Sequence, residues 1–154
     1  MNLRYKDNLD GISWKRISEI FEAVGWGRRN PKELKQSFEK STYVRIAYDK
    51  EKIVGFGRTV DDGQYYALIV DVLIDPEYQR KGIGATILKE LKDDLEEYLF
   101  TTLTAATGKD LFYQKQGWKK QNSAYIWPRS KEQEELYSIS SEQGTATDAD
   151  KPRR

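Results

Sequence analysis

The chain has 154 residues, a formal net charge of +1, and neither cysteine nor histidine. That length suits one domain whose core stands without disulfides or metals. The composition excludes thiolate nucleophiles, imidazole bases, Ser-His-Asp arrangements and cysteine- or histidine-ligated metals, so no metal site is expected.

Arg4 to Lys6 reads as a short first strand and Asp7 to Gly11 as a turn. Ser13 is a candidate helix cap, followed by Trp14, Ile17, Ile20, Phe21 and Val24 at helical spacing, with Gly25 ending the run. The loop to Asn30 carries Trp26, Arg28 and Arg29. Asn30-Pro31-Lys32-Glu33 starts a second helix, with Leu34 and Phe38 on its buried stripe. Val44, Ile46 and Tyr48 alternate in a strand, and Ile53 to Val60 forms the next. Gly55 and Gly57 mark a place where something approaches that backbone closely. After an Asp61-Asp62-Gly63 turn, Tyr65 to Ile74 is nearly continuous apolar sequence, as in a central strand covered on both faces. Short hairpins make these three strands adjacent and antiparallel.

An amphipathic helix is expected from Ile83 to Tyr98, burying Ile83, Ile87, Leu88, Leu91, Leu95 and Leu99. Thr101 to Ala105 is the strand after it, parallel to Tyr65–Ile74 through a right-handed crossover. Lys109 to Lys115 reads as a short helix, and Trp118 to Trp127 as one or two closing strands. Residues 1–127 form the expected domain. Residues 128–154 form a polar tail, in which Glu132 to Tyr137 admits a helical turn and Ser138 to Arg154 is read as disordered or as an arm on a second subunit.

Between the long strand and the helix lies Gln79-Arg80-Lys81-Gly82-Ile83-Gly84. Glycines at a helix start leave amides free, and Arg80 and Lys81 add countercharge, which suits a phosphate or pyrophosphate. A plain sharp turn with a solvated basic pair fits the same residues.

This turn, preceded by Val72-Leu73-Ile74-Asp75-Pro76, and the later Leu111-Phe112-Tyr113-Gln114-Lys115-Gln116-Gly117-Trp118, resemble the two signatures of the GCN5-related N-acetyltransferase (GNAT) superfamily. The glycine pattern around Trp26, Gly55 to Arg58 and Asp61 to Gly63 is also similar to the arylalkylamine (serotonin-type) subgroup. The resemblance implies an α/β fold: a mostly antiparallel sheet of six to seven strands, a V-shaped parallel splay between the fourth and fifth, and about four helices. It implies acetyl-coenzyme A as cofactor. The amides of Val72 and Ile74 would hold pantetheine, and Gln79, Arg80, Lys81, Gly82, Ile83, Gly84 and Ala85 would cradle the pyrophosphate.

By the same resemblance the acetyl group passes to a primary amine, of a small molecule, by direct attack. Val72 N–H would polarise the carbonyl, and Tyr113, beside the cofactor, would protonate the departing thiolate. The base is sought among carboxylates. Asp71 ranks first, since alternation sets it opposite Val70 and Val72 within an apolar strand, and pairing with Arg58 is its structural alternative. Glu22, Trp26, Arg28, Tyr65 and Tyr125 are the candidate acceptor contacts. Acetylation of a protein or peptide, and coenzyme A sensing without turnover, are the rival readings. A homodimer follows from the family. Nucleic acid is not an expected partner, because the positive charge forms no stripe. Neither is a membrane, because no run approaches ~20 apolar residues, and a cytoplasmic setting is the expectation.

Overall fold

Alternating apolar residues and short polar turns lay the first two thirds of the chain out as one sheet. The computed structural model describes residues 1–139, and the chain divides into two compact units, Met1–Thr104 and Ala105–Arg154. In the first unit, β1 (Leu3–Lys6), β2 (Val44–Asp49), β3 (Lys52–Asp61), β4 (Tyr66–Ile74) and β5 (Phe100–Leu103) are hydrogen-bonded in that order. The junctions are antiparallel except β4–β5, which is parallel. The mixed α/β sheet with one parallel crossover is the expected architecture.

Helices α1 (Trp14–Ala23) and α2 (Pro31–Glu39) cover one face, and α3 (Ile83–Asp94) covers the other. Ile17, Ile20, Phe21, Leu34 and Phe38 meet Val44, Ile46, Ile53, Phe56 and Leu73 in the larger core. Ser13 caps α1 by accepting from Arg16 N–H, and Gly25 at φ +86° closes it. Trp26 N–H reaches back there to the Phe21 carbonyl at 3.0 Å. Asn30 Oδ1 caps α2 by accepting from Lys32 and Glu33 amides, ahead of Pro31 at the first helical position. On the opposite face Ile83, Ile87, Leu88 and Leu91 are buried. What approaches β3 closely is this helix: a Cβ on Gly57 would lie 2.8 Å from Ile87 Cγ2 and 3.0 Å from Leu91 Cδ1.

Three expectations need correction: the strand count, the end of α3 and the number of helices. Among the described residues the sheet has five strands, not six to seven, because 118–127 forms none. Trp118 is separated from Tyr125, Ile126 and Trp127 by Lys119–Ala124. Tyr125 and Trp127 stand 99% and 80% exposed, so there is no alternating face to bury. Helix α3 ends at Asp94, a turn early, with Leu95 as its cap. Leu99 therefore leaves the buried stripe and is 72% exposed. In the second unit, α4 (Asp110–Lys115) is joined by α5 (Lys131–Tyr137), making five helices among the described residues. Ser130 caps α5 by accepting from Gln133 N–H, so the start of the polar tail is helical. The tail's remaining residues, 140–154, lie outside the described residues. No helix among the described residues is long and apolar enough to cross a membrane.

Candidate active site

The parallel ladder runs only from Tyr66↔Phe100 to Ile69↔Leu103. Beyond it the second half of β4 keeps β3 on one side and, among the described residues, has no strand on the other, which is the splay expected between the fourth and fifth strands. Asp75 N–H donates to the Val54 carbonyl on the β3 side at 2.8 Å. Amides alternate along a strand, so Leu73 N–H also faces β3, while Val72 and Ile74 N–H face the open edge.

A bulge interrupts β4 here. Arg58 pairs with Val70 and Phe56 with Leu73, so Asp71 and Val72 together oppose Gly57. Asp71 adopts φ +54°, a left-handed conformation costing an ordinary L-residue about 1–2 kcal/mol, with aspartate among the more tolerant. Its Oδ2 accepts from Arg58 Nε at 2.9 Å, the side chains being 11% and 14% exposed. Alternation therefore holds between Asp71 and Val72 and fails between Asp71 and Val70, the cross-strand partner of Arg58. Val72 faces α3, its Cγ2 3.3 Å from where a Gly57 Cβ would sit. The Asp71 carboxylate meets Arg58 on the side of α2, where Arg58 Nη1 makes long hydrogen bonds to the Ser37 carbonyl and Ser41 Oγ.

After β4 the chain makes a single 3-10 turn, Pro76–Tyr78. Asp75 Oδ1 accepts from Glu77 N–H at 3.0 Å, and its Oδ2 accepts from Arg16 of α1. Arg16 Nε also donates to the Ile53 carbonyl at 2.9 Å. Burial works to raise the Asp75 pKa, but the Glu77 and Arg16 hydrogen bonds and the Arg16 charge outweigh it and hold the carboxyl below its usual range. On the other flank, Tyr78 hydroxyl donates to Asp49 Oδ2 at 2.8 Å. Gln79 Nε2 donates to the Ile74 carbonyl at 3.1 Å, which leaves that side chain engaged in the turn.

Arg80 and Gly82 then take φ +64° and +83°. Gly82 stands at the N-cap of α3, where no side chain caps the helix. Its carbonyl receives Thr86 N–H at 3.1 Å and Thr86 Oγ1 at 3.0 Å. Ile83, Gly84 and Ala85 thus present the first amides of a twelve-residue helix, at its positive end. Arg80 and Lys81 beside them are exposed. The Ile83 side chain is 1% exposed in the core, so only its backbone belongs to this site.

The remaining candidates are scattered. Glu22 and Arg28 form an exposed ion pair at 3.3 Å at the end of α1. Trp26, 40% exposed, lies nearby with its ring 6.2 Å from Phe21. Tyr65 precedes β4 at the end remote from the turn and stacks on Tyr66. A rise of about 3.3 Å per residue puts it roughly 23 Å of strand before Val72, so it does not join that site. Tyr113 and Tyr125 belong to the second unit. Tyr113 is half-buried on α4, edge-on to Phe112, and burial pushes its phenol up. Arg16, Asp49 and Tyr78, which hold the turn, were not among the sequence candidates. Their partners lie 29 to 59 residues away, and no local pattern pairs them.

A family model for the acetyltransferase (GNAT) domain matches residues 18–126. The chain is 29% identical over 122 residues to an uncharacterized N-acetyltransferase of Porphyra purpurea, covering 75% of this chain and 70% of that one. It is 29% identical over 89 residues to serotonin N-acetyltransferase 2, chloroplastic, of Oryza sativa subsp. japonica, covering 55% of this chain and 44% of that one. A solved GNAT family acetyltransferase of Streptococcus pneumoniae matches with a TM-score of 0.70 and 25% identity, over 83% of this chain and 99% of that chain. The chain belongs to the GNAT family of acetyltransferases, and its activity class is N-acetyl transfer.

Proposed function

We propose that residues 1–127 transfer the acetyl group of acetyl-coenzyme A to a primary amine of a small molecule, by direct attack in a ternary complex. The observation that carries this reading is the continuity of donors. The open-edge amides of Val72 and Ile74 lead along β4 into the uncapped start of α3. An extended amide-bearing arm suits the first, and a pyrophosphate suits the second.

The bound cofactor supplies an acetyl group already activated as a thioester. The chain's own residues do the rest. Amides of Ile83, Gly84 and Ala85 take the phosphate oxygens, and Arg80 and Lys81 balance their charge. Val72 N–H donates to the acyl oxygen as negative charge develops on it. By the family resemblance Tyr113 is the residue assigned to protonate the departing sulfur, a phenol being in its acid form at neutral pH. Glu22, Trp26 and Arg28 are assigned to the acceptor side, with an aromatic wall and a carboxylate suited to an amine. The name of the rice relative makes arylalkylamines the first acceptors to try. A cytoplasmic setting and a homodimer remain parts of this reading, the latter open to sedimentation.

The test is calorimetric titration with acetyl-coenzyme A, followed by thiol release with arylalkylamines, polyamines, amino sugars and N-terminal peptides. The expected result is binding that Gly82→Glu abolishes and turnover on a small amine, with intersecting initial-velocity lines. Turnover on peptides alone moves the acceptor to protein, and binding without turnover makes the chain a coenzyme A sensor. No binding overturns the proposal.

A further inference from the structure

We propose that Arg58 is a positioning residue: its ion pair with Asp71 locks the β4 bulge so that Val72 N–H stays aimed at the open edge. The inference rests on the acetyl-transfer reading and names the residues that set its central donor.

Three independent features converge on one peptide. The bulge places an extra residue in β4 opposite Gly57. The residue before Val72 has a left-handed backbone although it carries a side chain. That side chain is a nearly buried carboxylate paired with a nearly buried guanidinium. A conformation that local energetics disfavour persists only where its surroundings hold it, and such positions concentrate at functional sites. Here the surroundings are identifiable. Arg58 is itself fixed by the Ser37 carbonyl and Ser41 Oγ at the C-terminal end of α2, with its guanidinium 5.3 Å from the centre of the Phe38 ring. The negative end of the helix and the aromatic face both favour a cation there. Asp71 is thereby tied through one rigid side chain to a helix packed in the core.

Relaxation of Asp71 toward ordinary extended angles would rotate the peptide that carries Val72 N–H. A full register slip is blocked, because it would take Leu73 out of the α1–α2 core and turn it onto the α3 face. The pair therefore governs the aim of one amide more than the existence of the fold. It also ties one Asp71 oxygen, Oδ2, to Arg58, which is the structural alternative to a general-base role for this carboxylate.

The test uses Arg58→Met, Asp71→Asn and the double variant. Backbone amide resonances are recorded without ligand, and acetyl-coenzyme A affinity, kcat and the pH profile are then measured. Asparagine is close to isosteric and tolerates the left-handed region, so it carries the test if the Arg58 variant does not fold. The Val72 resonance is expected to move more than those of Gly55 and Leu73 in each variant. Each kcat should fall about 10–100-fold with affinity held within about threefold. The double variant should be no worse than the worse single one, and residual Asp71→Asn activity should keep the native pH profile. An unmoved Val72 resonance in both variants overturns the inference even if the native protein binds no acetyl-coenzyme A. Native kcat in Arg58→Met, or losses that multiply in the double variant, overturn it as well. Disappearance of one limb of the Asp71→Asn profile overturns it in favour of Asp71 as the base.

Discussion

Two aspartates do much of the work of holding loops against the sheet. Asp75 joins the turn after β4 to α1 through Arg16, and its folded pKa lies below the ordinary carboxylate range. A depressed carboxylate stabilises the fold above its unfolded pKa of about 4, and that contribution is lost as pH falls through the folded value. Asp75→Asn should therefore melt lower than the native protein at pH 7 and show a shallower fall in Tm below about pH 4, read by thermal melts across pH 2–7. Asp61 gathers Thr42, Thr59 and Tyr98 hydroxyls and Gly63 N–H. Burial pulls its pKa upward, but these bonds outweigh it and leave it lowered. The hydrogen bond to Asp61, with a smaller push from burial, raises Tyr98 to about 12. A raised phenol contributes stability that is full below about pH 10 and lost as pH climbs through the folded value. Tyr98→Phe should cost about 1 kcal/mol in urea melts at pH 7, a modest figure because the pair is largely solvated. The gap should close between pH 10 and about 12.

The contact between α3 and β3 depends on the absence of a side chain. Gly57→Ala would drive a Cβ into Ile87 Cγ2, a methyl held on a branched Cβ with a stiff χ1 that cannot swing aside. A loss of about 1–3 kcal/mol is expected in urea melts, with Gly57→Val worse. These glycines were visible in the sequence as places of close approach, as were the Ser13 and Asn30 caps, because each such signal lies within a few residues. The apolar stripe of α3 was equally plain, although its end was not, since Leu95 and Leu99 continue the period past the cap. The bulge was hidden. One inserted residue leaves a run such as Tyr66–Ile74 apolar, so the alternation that rightly set Asp71 opposite Val72 also set it opposite Val70, which pairs with Arg58 on the same face. Asp71's partner could be guessed from charge, but its backbone angle could not. The 118–127 strands failed for the opposite reason: aromatic content suggested strand where no alternating face exists.

At the level of the whole molecule, the sheet and the site cannot be separated, since the splay that opens β4 is a property of strand pairing. Sequence order sufficed to place the parallel crossover and the basic turn at one end of β4. The same order sets Tyr65 at the opposite end of the strand, so spacing alone separates it from Val72. The open half of β4 has a consequence for how the protein endures without its ligand. Unpaired strand edges invite pairing with other chains, and the free form is expected to be the more aggregation-prone one. A ligand lying along Val72 and Ile74 would act as a detachable sixth strand, and its concentration would enter the folding equilibrium directly. At a hundred times its dissociation constant, acetyl-coenzyme A should add about 2.7 kcal/mol and raise Tm by roughly 5–10 °C. If acetyl-coenzyme A binds there, melting temperature becomes an assay of occupancy, and the cellular supply of acetyl donor a determinant of how long the chain survives folded.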